Sequence, residues 1–184
     1  MTWRPGHDPT VGLRDDALLD RAVADRADAH LLRRVSVETA TLAGTLRDLA
    51  EQRAGVTLEL PGDHLVQGSL LAVAPDHVVV ATSADQRAHV RLSDVVTARP
   101  DPERRVAVAQ GNRSAALDRT LPHVLARWEA DRPHLAVVVR GRPEPVRGRL
   151  VAVGEDVLTL DQGPGGQPVY VATDAVQVVL VDHR

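Results

Sequence analysis

The 184-residue sequence predicts a mainly β fold with helices: two tandem units, each a helix followed by a small five-stranded β-barrel, and an extra N-terminal helix. Three observations predict it. Residues 66–80, VQGSLLAVAPDHVVV, and residues 146–160, VRGRLVAVGEDVLTL, agree at Val66/Val146, Gly68/Gly148, Leu70/Leu150, Ala72/Ala152, Val73/Val153 and Asp76/Asp156 in one register, and internal similarity of this kind decides architecture before any local motif does. Apolar residues in both stretches alternate with polar ones, the period-2 signal of a half-buried strand. Hydrophobic residues make up 43% of the chain, yet aromatics are 2% and phenylalanine is absent. Val, Leu and Ala must therefore fill the interior, and β-branched Val favours a pleated surface over a helix.

The N-terminal segment, residues 1–35, is expected to be a tail and a helix. From Asp15 to Arg53, residues Leu18, Leu19, Val23, Leu31, Leu32, Val35, Leu42, Leu46 and Leu49 recur mainly at three- and four-residue spacings, which lines one helical face. A break is expected at Ser36, which can cap a second helix with Glu38 in its first turn, although Thr39 stands where a capping box has Glu or Gln. The first unit then runs over 36–99. Its expected strands are Val56–Leu60, Val66–Ala72, Val78–Val80, His89–Leu92 and Val95–Ala98, with turns at Pro61-Gly62-Asp63, Ala74-Pro75-Asp76 and Ser83–Gln86. Proline, glycine and aspartate supply the backbone angles that such turns need.

A polar, proline-containing linker is expected over 100–118, with Val106–Ala109 readable as either strand or extended chain. The second unit, 119–184, opens with a helix capped by Thr120, carrying Pro122 in its first turn and stopped by Pro133. With one residue of slippage, Thr41-Leu42 and Leu46 align with Thr120-Leu121 and Leu125, so the helix belongs to the repeated unit. Its expected strands are Leu135–Val139, Val146–Val153, Asp156–Leu160, Val169–Ala172 and Ala175–Val181. The register is expected to persist without a gap, pairing Asp94 with Asp174 and Val96 with Val176. Gly68 and Gly148 fall inside strands, where glycine marks a sharp bend or a close backbone crossing.

A helix, five strands, a glycine in the second, an aspartate opening the third and a short turn before the fifth together resemble the Sm-like (LSm) family. An SH3-like barrel has nearly the same strand pattern. Gly68 and Asp76, like Gly148 and Asp156, stand where the first Sm motif has its glycine and aspartate, but two residues further apart. The family's RNA-contacting asparagine falls near Val80 and Leu160 and is absent. The basic residue and glycine of the second Sm motif are replaced by Asp94-Val95-Val96 and Asp174-Ala175-Val176. The resemblance implies the fold and not the uridine pocket. The lysine-free composition, rich in Ala, Val, Asp, Pro and Arg, points to a GC-rich bacterial genome of the actinobacterial kind.

Composition also narrows function. The chain has no cysteine, which removes disulfides, thiol nucleophiles and thiolate metal sites. Net charge is −3, so any attraction to nucleic acid must be local. The N-terminus has no apolar leader core and no stretch spans a bilayer, so a cytoplasmic location is expected. The eight histidines show no metal-binding spacing, and no cofactor or metal is expected. Asp63-His64 and Asp76-His77 fall at turns and read as solvated pairs. Gly163-Pro164-Gly165-Gly166 lacks the following Lys-Ser/Thr of a phosphate loop and reads as a hairpin. Asp94 and Asp174 read as turn caps.

The strongest charge feature is Arg132, Arg140, Arg142, Arg147 and Arg149, accompanied over that span by Glu144 as the sole acid. Arginine forks suit phosphate, so Arg140, Arg142, Arg147 and Arg149 are candidate nucleic-acid contacts. Against this stands the scarcity of aromatic stacking platforms: Trp3, Trp128 and Tyr170 are the whole set. The same arginines could instead face the acidic segment Asp15, Asp16, Asp20, Asp25 and Asp28. A non-enzymatic binding or scaffold protein, working through a protein partner or self-association and without a small-molecule substrate, is therefore expected first. A nucleic-acid-binding regulator is expected second.

Overall fold

A computed structural model describes residues 40–82, 86–102 and 118–182. Helix α1 spans Leu42–Glu51 and begins where Thr41, in extended backbone, accepts the Gly44 N–H on its hydroxyl at 3.0 Å. This satisfies one of the amides that a helix start leaves without a partner. Leu46 and Leu49, three apart on one face, are buried. Five strands follow: β1 Gly55–Leu60, β2 His64–Val73, β3 His77–Thr82, β4 Gln86–Arg91 and, after a 3-10 turn at Leu92–Asp94, β5 Thr97–Pro100. Helix α2 spans Leu121–Arg127. It leads to β6 His134–Val139, β7 Val146–Val153, β8 Val157–Asp161, β9 Val169–Ala172, a second 3-10 turn at Thr173–Ala175, and β10 Val176–Asp182.

The ten strands form one sheet in the order β5-β1-β2-β3-β4-β10-β6-β7-β8-β9, antiparallel at every pairing. This overturns the expected pair of separate helix-plus-five-stranded barrels: among the described residues the protein is one open ten-stranded antiparallel sheet with two helices. The physical reason is edge pairing. Alternation in sequence tells which face a residue occupies but not which strand lies beside it. Here β4 of the first half and β10 of the second pair with each other, from Val90 opposite Val178 to Gln86 opposite Asp182, so neither edge is left open. The N-terminal helix expected before residue 36, the break at Ser36 and the possible strand Val106–Ala109 lie outside the described residues.

The two halves use parallel registers, with one local slip. Gly68 faces Val56, and Gly148 faces Leu135. A methyl group on Gly68 would lie 2.0 Å from the Ala81 carbonyl oxygen, and on Gly148 2.7 Å from that of Asp161, so in both places a neighbouring backbone occupies the side-chain position. Downstream the halves part company. His77 pairs with Arg91, whereas Val157 pairs with Ala172, which makes the second connection one residue longer. The Leu92 N–H donates to the Asp76 carbonyl, and the Thr173 N–H to that of Asp156. Asp94 therefore corresponds in space to Ala175, and Asp174 to Ser93. The gapless alignment of Asp94 with Asp174 does not hold.

Each half has its own apolar core. Leu46, Leu58, Leu70, Val78, Val80 and Val90 gather in the first, together with Val138 and Val178 from the second half. Leu121, Leu125, Leu135, Leu150, Leu158, Leu160 and Val179 gather in the second. Strand β10 therefore feeds both cores from its two faces, and β3 and β4 are buried on both sides near it. Three further links cross the joint. Arg91 donates to the carbonyls of Val176 (2.9 Å) and Thr173 (2.6 Å), Arg140 pairs with buried Asp94 at 2.8 Å, and Asp76 accepts the Leu121 N–H. Residues 41–184 form one compact unit. No helix among the described residues is long and apolar enough to cross a membrane.

Candidate functional site

Because side chains alternate along a strand, the residues of β3 and β4 that do not enter the first core point to the opposite face. Among them are His77 and Val79 on β3, and Arg87 and His89 on β4. Helix α2 and the turn after it come over this face, and a cleft of about 930 Å³ remains between them. Its floor is His77, Val79 and His89. Trp128, Val124, Leu71 and Val181 add apolar walls, and Arg87, Arg119, Arg132 and Arg149 surround it, with Asp131 as the carboxylate among the described lining residues.

The histidines are held in order by one carboxylate. Asp76, in the turn before β3, accepts the backbone N–H of Leu121 on both oxygens, at 2.9 and 3.1 Å. The same carboxylate lies 2.8 Å from Nδ1 of His77. An ionised carboxylate only accepts, so Nδ1 is the ring nitrogen that donates to Asp76, and Nε2 is the other. That nitrogen is buried and without a hydrogen-bond partner, as is Nδ1 of His89. The two rings stack at 5.3 Å between centroids, and Trp128 meets His89 in a T-shaped contact with centroids 5.1 Å apart. Burial first, then the neighbouring His77 and Arg87, lowers His89 from 6.5 to about 4, so its imidazole is neutral at physiological pH.

His77 was expected to be a solvated turn residue; its side chain is wholly buried. The turn ends one residue before it, and the second half of the chain covers the strand that follows. That cover comes from residues more than forty positions away, beyond the reach of a local pattern. Thr120 likewise does not cap α2. Its hydroxyl lies 2.7 Å from Nδ1 of His123, and Asp76 takes the helix's first amide instead.

The structure disperses the four candidate arginines. Arg149 lines the main cleft. Arg147, also exposed and on the same strand, pairs across to Ala136 and is not part of that lining. Arg140 and Arg142 lie at the β6–β7 turn, beside a smaller cavity of about 370 Å³ that Pro61, His64 and Gln177 also line, and Arg140 is engaged by Asp94. Among the carboxylates of the sequence pattern, Asp76 organises the cleft and Asp94 is buried at the joint, while Asp156 and Asp174 are exposed. Among the described residues no group of three or more His, Asp or Glu side chains is arranged to hold a metal ion.

Fold and cleft together define a mainly β protein, a single antiparallel sheet with a basic, histidine-floored cleft at the joint of its halves. A family model described as Domain of unknown function (DUF2642) matches residues 34–100, a span that takes in α1 and β1 to β5. Over that stretch the chain is similar to this family. No curated protein matches the chain.

Proposed function

We propose that this protein is a non-enzymatic binding protein and that the cleft is the seat of a negatively charged ligand. One observation carries the reading: Arg87, Arg119, Arg132 and Arg149 line one cleft together with His77 and His89, and Asp131 is the one carboxylate among its described lining residues. Among the described residues no ion pair engages Arg119, Arg132 or Arg149. A concave site lined by one sign of charge concentrates counter-ions, and low-dielectric walls strengthen the attraction. Among the described lining residues there is no serine, threonine or cysteine to act as a nucleophile.

Two observations favour this reading over strand pairing between copies or a nucleic-acid track. The outer edge strands are β5 and β9, each of four residues. The Asp101 N–H donates to Gly55 of β1, so by alternation Ala98 and Pro100 turn outward. Pro100 has no N–H to offer, and Pro168 immediately precedes β9, both hindrances to adding a strand. Nor do Arg140 and Arg142 continue the arginines of the cleft into one groove.

The test is thermal unfolding in sulfate, phosphate or pyrophosphate against chloride at matched ionic strength. At about tenfold excess over Kd, a bound anion raises the Tm by about 3–6 °C, and the Arg119→Glu, Arg149→Glu double variant loses that gain. An equal response in both proteins would defeat the reading.

A further inference from the structure

We propose that the ligand of the cleft is an elongated organic anion, an apolar body with an acidic group at each end, one end held by Arg119 and the other by Arg132 and Arg149. This rests on the binding reading above and names the shape and charge pattern of the ligand.

Strand register separates the arginines of the cleft into two poles. The Asp76 carboxylate holds the Leu121 N–H at 2.9 Å, so Arg119, two residues earlier in the chain, is anchored where β3 begins. Strand β3 then runs from His77, opposite Arg91, to Ala81, opposite Arg87. Arg87 faces Val181 on β10, Val181 faces Leu135 on β6, and its neighbour His134 faces Arg149 on β7. Arg132 stands just before His134 in the chain. Arg132 and Arg149 therefore gather with Arg87 at the far end of β3. Four residues of strand, His77 to Ala81, separate the two ends, roughly 13 Å at about 3.3 Å per residue.

That gap decides the kind of ligand. The Debye length is about 8 Å at physiological ionic strength, so a compact anion at one pole gains little from the other. An anion with a single charged end leaves one pole without a counter-charge. Asp131, at the far pole, offsets one arginine there and leaves a cationic end. Between the poles the reachable surface is apolar. Val124 and Trp128, four residues apart and so on one face of α2 and its C-cap, are half-buried, as is Leu71 across from them, and all three line the cleft. His77 and His89 lie buried beneath, and the ligand needs no contact with either. A volume of about 930 Å³ exceeds what an inorganic ion fills and suits an organic body.

Isothermal titration of the full chain with suberate, succinate and octanoate tests this. Suberate carries two carboxylates at the ends of a long aliphatic body, succinate carries two close together, and octanoate matches suberate in length with one. Suberate should bind at least ~10-fold tighter than either other probe, a difference of about 1.4 kcal/mol. Arg119→Gln should bring the affinity for suberate down to that for octanoate. Arg119 is exposed and lies outside the described helices and strands, so this exchange spares the fold, which circular dichroism checks. If suberate binds no tighter than succinate or octanoate, or if its advantage over octanoate survives Arg119→Gln, the inference is wrong. Thermal protection by sulfate or pyrophosphate without a preference for suberate would leave the binding reading standing and remove this one. Absence of both would remove both.

Discussion

Lowering the pH from 7.5 to 5 should destabilise the protein by about 2 kcal/mol through His89 alone. His89 lies buried on β4, stacked with the ring of His77 and in T-shaped contact with Trp128. Burial, and then His77 and Arg87, lowers its pKa from 6.5 to about 4. In the unfolded chain the group returns to 6.5. As the pH falls through 6.5 the unfolded state takes up a proton that the folded state refuses, so stability declines. The decline ends below about 4, where both states are protonated. At about 1.36 kcal/mol per unit, the full loss is about 3.4 kcal/mol, of which about 2 is felt by pH 5. Urea denaturation followed by circular dichroism at pH 7.5, 6 and 5 measures it, a window above most carboxylate titration. His89→Phe keeps a flat ring against Trp128 and removes the titration, so its stability should vary less with pH by that amount. Identical pH slopes in the two proteins would refute the reasoning.

Gly68→Ala should be among the most damaging single substitutions, by about 3–5 kcal/mol, because the added carbon meets backbone at 2.0 Å. Gly148→Ala, at 2.7 Å, should cost less, about 1–3 kcal/mol; chemical denaturation ranks the two, and the reverse order would contradict the geometry. Arg140→Ala leaves buried Asp94 without its cation and should cost about 1–2 kcal/mol, discounted because the arginine is half exposed. Arg132 holds a left-handed backbone angle, φ 45°, at the end of the α2 turn where glycine is usual. Arg132→Gly should therefore raise stability by about 1 kcal/mol while weakening anion binding, read by denaturation and titration side by side.

The positions of strands and helices were written in local pattern. Strands β7 and β9 have the expected bounds, whereas α1 begins at Leu42, capped by Thr41, and not at the Ser36 cap that was expected. The in-strand glycines were legible too, since a residue without a side chain in an apolar strand signals backbone approaching closely. Local pattern also led two readings astray. The equivalence of Asp94 and Asp174 came from chance identity across a one-residue insertion, which becomes visible only once Arg91 and Ala172 are seen opposite His77 and Val157. His77 was read by its neighbour Asp76 as a solvated turn residue, although the fold buries it.

By itself the sequence determined a mainly β protein with an aromatic-poor core and two parallel strand sets, because a period of two and the geometry of turns act over a few residues. Tertiary structure alone decided that those sets join through β4 and β10 into one sheet. It also decided that Arg149 parts from Arg140 and Arg142, and that His77, His89 and Trp128 meet in a basic cleft. Which strand edge finds which partner depends on contacts between residues about ninety positions apart, such as Val90 and Val178, and alternation along a strand carries no record of its neighbour.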